Sequence, residues 1–230
     1  MLTLLLPVLL AIEVERVVAV VNGVPILASD TELAQAAEVV PREPSEGDTA
    51  YRAAVLEALI ELELRWQDLE AAALTSRVQV DLDAAWAATL KRAGGEEALR
   101  DRLAALGLPE LSLRGLVRRA AIVQAYVATR FAPFVRVSAA EVEKSWSEEL
   151  APQLRAAGKP VPELDTVRDH VAALLRERKL NDEVVRWTAE LARRAEIVRY
   201  VPAPQAALEA APPPPRTPSA TPRASSSESP

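Results

Sequence analysis

Between residues 55 and 69 the large apolar side chains recur at the period of an α-helix. Val55, Leu59, Leu62, Trp66 and Leu69 are spaced by four, three, four and three residues, while Arg52, Glu61 and Gln67 fall elsewhere around the axis. At 3.6 residues per turn this spacing lines one stripe of a long helix, and strict alternation along a strand cannot produce it. Such a stripe is stable only under an apolar cover, so the rest of the chain must supply partner helices. Asp81 is placed to cap a helix carrying Leu82, Trp86 and Leu90, which Gly94-Gly95 ends. A short helix is predicted from about Glu96 to Leu106, stopped by Gly107 and Pro109. Another is predicted from about Ser112 to Phe131, carrying Leu116, Val123 and Val127 and broken at Pro133. Four helices joined by short punctuated loops predict an orthogonal bundle rather than a long coiled coil.

Ahead of the bundle the pattern changes. In ERVVAVVNGVPILASDTEL a β-branched run meets Asn22-Gly23 and then a short apolar run, Val24 to Leu27. Asn and Gly both accept positive φ, so the pair predicts a tight β-hairpin. Pro25 confines the second arm to a sheet edge. Ser29 and Glu32 have capping-box spacing and predict a helix through about Val40. PREPSEGDT, from Pro41 to Thr49, reads as a loop.

Beyond the bundle, Ser138 and Glu141 repeat the capping-box spacing and predict a helix through Trp146 to about Leu150. LAPQLRAAGKPVPEL, with three prolines and one glycine, should form a bend or a mobile connection. From about Leu164 to Ala195 a long closing helix presents Val167, Val171, Leu174, Val184, Trp187 and Leu191, and Ile197 to Val201 reads as a short strand. The expected class is therefore mainly α, with a small β contribution. Residues 202–230 shift to Pro, Ala, Ser and Thr, with four consecutive prolines from Pro212. A segment with so few large apolar side chains is expected to stay disordered, with polyproline II character.

The first eleven residues, MLTLLLPVLLA, match the length of a secretory h-region, although no Lys or Arg precedes them. Residues 1–12 are accordingly expected to act as a signal peptide, or as an apolar membrane anchor if retained. Export agrees with the absence of cysteine, which also removes disulfides, thiolate ligands and cysteine nucleophiles.

Few parts for chemistry are present. The 27 basic and 33 acidic side chains are mixed along the same segments, which leaves no single-sign field for a nucleic-acid backbone. No glycine-rich phosphate loop and no nucleophile elbow occurs, so no nucleotide is implied. His170 is the sole histidine and makes a poor metal or nucleophile site alone. Glu96-Glu97 and Glu148-Glu149 are adjacent in sequence, hence about 100° apart on a helix and unable to converge on one substrate. The expectation is a protein with no catalytic, cofactor-binding or metal-binding residues. Of the four tryptophans, Trp66, Trp86 and Trp187 are expected in the core. Trp146 lies near the proline break with Phe131 and Phe134, and these three are the candidate client-binding residues of an apolar crevice.

Four segments resemble one family, the first and last of them pointing to it together. VERVVAVVNGVPILASDTELAQ resembles the opening of the SurA and parvulin-type foldases, where a strand, a tight turn, a second strand and a capped helix lead into a helical chaperone core. VRDHVAALLRERKLNDEVVRWTAELARRAEIVRYV is similar to the closing helix and strand of that family. LGLPELSLRGLVRRAAIVQAYV resembles the later core helices, and VSAAEVEKSW the segment leaving the core. The resemblance covers about residues 13–201, with 164–201 as the closing segment. It implies that Ile197 to Val201 pairs near Val17 to Val21. In larger relatives a parvulin-type prolyl isomerase domain sits before the closing helix. Here about fifteen residues separate Leu150 from Thr166, too few for a compact domain, so isomerase activity is not expected. The implied function is a periplasmic chaperone for unfolded envelope polypeptides, outer-membrane proteins in particular. Two alternatives are a scaffold subunit holding one folded partner and a degenerate isomerase.

Overall fold

An Asn-Gly pair with both residues at positive φ closes a two-residue hairpin whose twist matches its strands. Asn22 has φ 50° and Gly23 φ 83° in the computed structural model, which describes residues 15–42 and 47–200. Strand β1 (Val17–Val21) pairs antiparallel with β2 (Val24–Leu27), Val21 opposite Val24 and Val20 opposite Pro25, with a bulge between Val17 and Ala19. A third strand, β3 (Ile197–Arg199), pairs antiparallel with the other side of β1, giving the order β2-β1-β3. Pro25 therefore lies on an edge strand, where its missing N–H costs no ladder bond. The expected segments 1–12 and 202–230, and Val201, lie outside the described residues.

Helix α1 (Ala28–Ala36) follows β2 without a loop. Its first turn is not held by the expected Ser29–Glu32 box: the Leu27 N–H donates to the Asp30 carboxylate over 2.9 Å. Leu27 ends the strand and starts the helix, so the capping frame lies two residues upstream. The helix also stops short of Val40. Glu38 takes φ 50°, and the Val39 N–H reaches back to the Ala34 carbonyl, a six-to-one closure of Schellman type.

The apolar stripe forms α2 (Asp48–Ala71), which packs against β1, α1, α5 and α8. Val55, Leu59 and Leu69 are buried, Leu62 and Trp66 half-buried, and Ile60 and Leu64 are buried as well. Covered from several sides, α2 buries more than one stripe. Helix α3 (Leu82–Arg92) is capped by Asp81, whose carboxylate accepts from the Ala84 N–H at 2.9 Å. Helix α4 (Glu96–Ala105) carries Arg102, whose guanidinium donates to the carbonyls of Ala36 and Ala93. One side chain thereby satisfies carbonyls at the C-terminal ends of both α1 and α3. Helix α5 (Glu110–Arg130) begins two residues earlier than predicted, after Pro109, and its Arg114 stacks 4.0 Å over the Trp86 ring.

After a 3₁₀ turn (Ala132–Phe134), α6 (Ala139–Ser145) has the predicted Ser138–Glu141 capping box. A π-helical turn (Trp146–Leu150) and α7 (Ala151–Ala156) continue it, so the helix runs on through Pro152, and the expected bend falls in the later part of that segment, residues 157–163, with Gly158 at φ 65°. Proline breaks an α-helix because it lacks a donor and crowds the carbonyl four residues back. Here the Ala151 N–H bonds five residues back, to Trp146, and this wider turn makes room for the ring. Helix α8 (Leu164–Arg194) then closes the chain. Its first half meets α6 around buried Val142 and Val171. Lys179–Glu141 at 2.6 Å and Arg178–Glu149 at 2.9 Å flank that contact. Its second half packs on α2. The fold is mainly helical, with a small antiparallel sheet joining the first and last described strands.

Candidate polypeptide-binding crevice

The three aromatic residues expected to form a crevice are placed differently from one another. Phe131 caps α5 and sits 5.5 Å from the Trp187 ring and 6.3 Å, edge-on, from Tyr126. Trp187 donates from Nε1 to Asp68 over 3.2 Å, so this ring group is tied to α2. Phe134 is 73% exposed, and the Arg130 guanidinium lies 5.9 Å from its ring centre and 5.7 Å from that of Phe131. Beside Phe134 a cleft of about 360 Å³ is lined by Arg136, Lys179, Asp182, Glu183 and Arg186, and is charged rather than apolar. Trp146 lies half-buried on the π turn and joins none of these ring pairs. Trp66, Trp86 and Trp187 do pack against the buried core, as partly buried neighbours, whereas Trp146 packs against neither core group.

A more apolar concavity lies inside the bundle. One helical stripe of α2, Val55, Ala58, Leu59, Leu62 and Arg65, faces a stripe of α5, Ala120, Val123, Gln124 and Val127, across a space of about 290 Å³. Val39 and Val40 close one side and Val184 of α8 another. The positive φ at Glu38 turns the chain after α1 so that these two valines reach the crevice, and the Tyr51 hydroxyl fixes the turn by donating to the Val40 carbonyl over 3.1 Å. Ala58 and Ala120 present only methyl groups where the two helices face each other, which leaves the space open. Its size falls just below the ~300–1,000 Å³ usual for small-molecule sites. It therefore suits a few aliphatic side chains better than a cofactor.

Among the described residues only two polar side chains line it, Gln124 and Arg65. Burial lowers the pKa of the Arg65 guanidinium, opposed by the charge of Glu61. Arg65 donates to the Glu61 carboxylate at 2.9 Å and to its carbonyl at 2.9 Å, so its charge is answered on its own helix. A polar relay supports the wall from behind. Buried Glu63 accepts from Arg119 at 3.1 Å and from Gln67 at 2.8 Å. Gln67 in turn donates to the Val21 carbonyl at 3.1 Å and accepts from Asn22 Nδ2 at 2.8 Å. Asn22 Oδ1 accepts from the Glu196 N–H at 2.8 Å. The crevice wall, the hairpin turn and the approach to β3 thus share one hydrogen-bonded chain.

Sequence reasoning missed this crevice because its walls come from four separated segments. The only local hints were small residues, Ala58 and Ala120, at positions where each stripe would otherwise carry bulk. Among the described residues no group of three or more His, Asp or Glu side chains is close enough to hold a metal ion, and His170 is exposed on α8. Also among the described residues, no helix is long and apolar enough to cross a membrane. No family model matches the chain, and no curated protein matches it.

Proposed function

We propose that this chain is a client-holding chaperone of the SurA type, acting in the periplasm on unfolded envelope proteins and lacking prolyl isomerase activity. The observation that carries the reading is the apolar crevice between α2 and α5, with Ala58 and Ala120 keeping it open. The pairing of β3 with β1 agrees with the chain closure that the resemblance implies. Aliphatic or aromatic segments of an unfolded client dock in the crevice reversibly, which lowers the free concentration of aggregation-prone chain. Binding needs no nucleotide, because release follows from the client's own folding.

The test is light scattering from an unfolded outer-membrane protein diluted out of denaturant, with a stoichiometric excess of the chaperone. Suppression is expected. Ala58→Leu and Ala120→Leu, at half-buried positions, should fill the crevice and weaken suppression severalfold while leaving the helical circular dichroism intact. Unchanged aggregation with the wild-type protein refutes the reading and favours a single dedicated partner, to be sought by pull-down from envelope extract.

A further inference from the structure

The two edges of the sheet differ. Beyond β2 the edge carries Pro25, which has no N–H to offer. Beyond β3 no further strand follows among the described residues. The Tyr200 N–H donates to the Val18 carbonyl over 2.9 Å, the Asn22 N–H donates to the Glu196 carbonyl over 2.8 Å, and Val198 stands opposite Val20. Residues 196, 198 and 200 therefore turn their backbone groups toward β1. Antiparallel alternation turns those of Ile197 and Arg199 outward. The outward groups recur roughly every 7 Å along the strand, a spacing that another extended backbone matches.

Beside this edge lies a cleft. Ile197 and Arg199 share the sheet face of Val21 and Ala19, the face toward α2. On that side a space of about 270 Å³ opens between α2 and α8, walled by Ile60, Leu64, Val185 and Ala192. Val185 is 57% exposed there. The charged rim is already neutralised: Arg199 grips Glu57 through two contacts of 2.7 Å, and Arg65 holds Glu61. A charged side chain would find no unanswered partner in this cleft, whereas an aliphatic one would be covered on two sides.

We propose that β3 accepts a fourth strand: an extended, uncharged client segment that pairs its backbone with Ile197 and Arg199 and turns alternate aliphatic side chains into the α2–α8 cleft. The proposal rests on the holding function above and deepens it by naming how the client is read. Main-chain pairing is indifferent to side-chain identity, and the cleft selects only alternation of aliphatic residues. Arg65 and Val184 line both this cleft and the crevice between α2 and α5, so one client can occupy the two in succession.

The probe is a fluorescein-labelled, lysine-flanked peptide of alternating valine and threonine, followed by anisotropy against the full chain. Two further peptides carry N-methyl groups on alternate residues, one set on each edge of the extended peptide. Methylation of one set should weaken binding roughly tenfold, as expected for two lost hydrogen bonds, and the other set should stay within about twofold. Arg199→Pro removes the outward N–H while leaving the bonds to β1, and Arg199→Ala controls for the lost Glu57 pair. Arg199→Pro should bind the peptide about fivefold more weakly than Arg199→Ala, by loss of one bond. If Arg199→Pro fails to fold, the methylated pair still decides. Equal binding by both methylated peptides, or no peptide binding by a protein that suppresses aggregation, overturns strand addition and leaves the holding function standing. A dimer that pairs through β3 and resists the peptide overturns it too. Failure of both peptide binding and aggregation suppression removes the holding function itself.

Discussion

Replacing Asn22 by glycine isolates the contribution of one side chain to chain closure. Asn22 sits at φ 50°, which glycine adopts freely, so the substitution leaves the turn unstrained. It removes two hydrogen bonds, Nδ2 to Gln67 Oε1 at 2.8 Å and the Glu196 N–H to Oδ1 at 2.8 Å. Each is solvent-exposed, and the net worth of such a bond is about 0.5–1.5 kcal/mol. The low half of that range gives about 1–2 kcal/mol for the pair. Asn22→Ala loses the same bonds and adds the left-handed strain of a β-carbon, about 1–2 kcal/mol more. Urea unfolding should therefore rank wild type above Asn22→Gly and Asn22→Ala last, with successive gaps of about 1–2 kcal/mol. At about 2–4 °C per kcal/mol for a chain of this size, the melting temperature should fall by roughly 2–8 °C for the glycine variant. Native-state hydrogen exchange should locate the damage, with the amides of Glu196 and Tyr200 exchanging about tenfold faster and those of Leu113 and Ile60 changing less. A glycine variant as stable as wild type, or an alanine variant no worse than the glycine one, refutes the assignment of closure to this side chain.

Two further predictions concern separate parts of the molecule. Leu69 is fully buried in a small group with Ile122 and Val123, so Leu69→Ala should cost about 2–5 kcal/mol, read as a lower urea midpoint with an unchanged slope. The Glu141 carboxyl is held at about 2, below its ordinary 4.5, first by the bond from Lys179 and then by the backbone and hydroxyl of Ser138. A depressed folded-state value means that this group stabilises the α6–α8 contact above its unfolded pKa and ceases to do so as pH falls toward about 2. Carbon-detected titration should find the folded midpoint near 2, and Lys179→Met should move it upward; a midpoint unmoved by that substitution contradicts the ordering of causes.

Where a structural signal is local, the sequence carries it. Asn22-Gly23 specifies its own turn, Asp81 and Ser138 each cap the helix that follows, and Pro25 marks an edge from its missing donor alone. Two local readings are displaced because a neighbour changes the rule. Ser29 and Glu32 have the right spacing, but Leu27 joins strand to helix directly and gives the capping role to Asp30. Pro152 has the breaking residue type, but the preceding π turn accommodates its ring. Contacts between distant segments are a different matter. Glu63 meets Arg119 across 56 residues and Arg102 meets the Ala36 carbonyl across 66, and no spacing rule pairs such positions. The crevice belongs to this second kind, since α2 and α5 create it only by facing each other. Phe131, Phe134 and Trp146 stand out in the sequence by aromatic character near a proline break. Of these, Phe131 and Phe134 both approach the Arg130 guanidinium, whereas Trp146 lies on the separate π turn.

The pairing of β1 with β3 also fixes an order of events during biosynthesis. Asn22 and Glu196 are 174 residues apart in the chain, so as the polypeptide emerges from its amino end, β1 must wait on one side until all of α8 and then β3 have been made. Meanwhile the face of α2 that receives α8 stays uncovered. Contacts of such long separation are slow to form because loop closure precedes their gain. A protein proposed to shelter the unfinished chains of others thus passes through an unfinished stage of its own, with a strand edge and an apolar helix face both open until α8 and then β3 arrive.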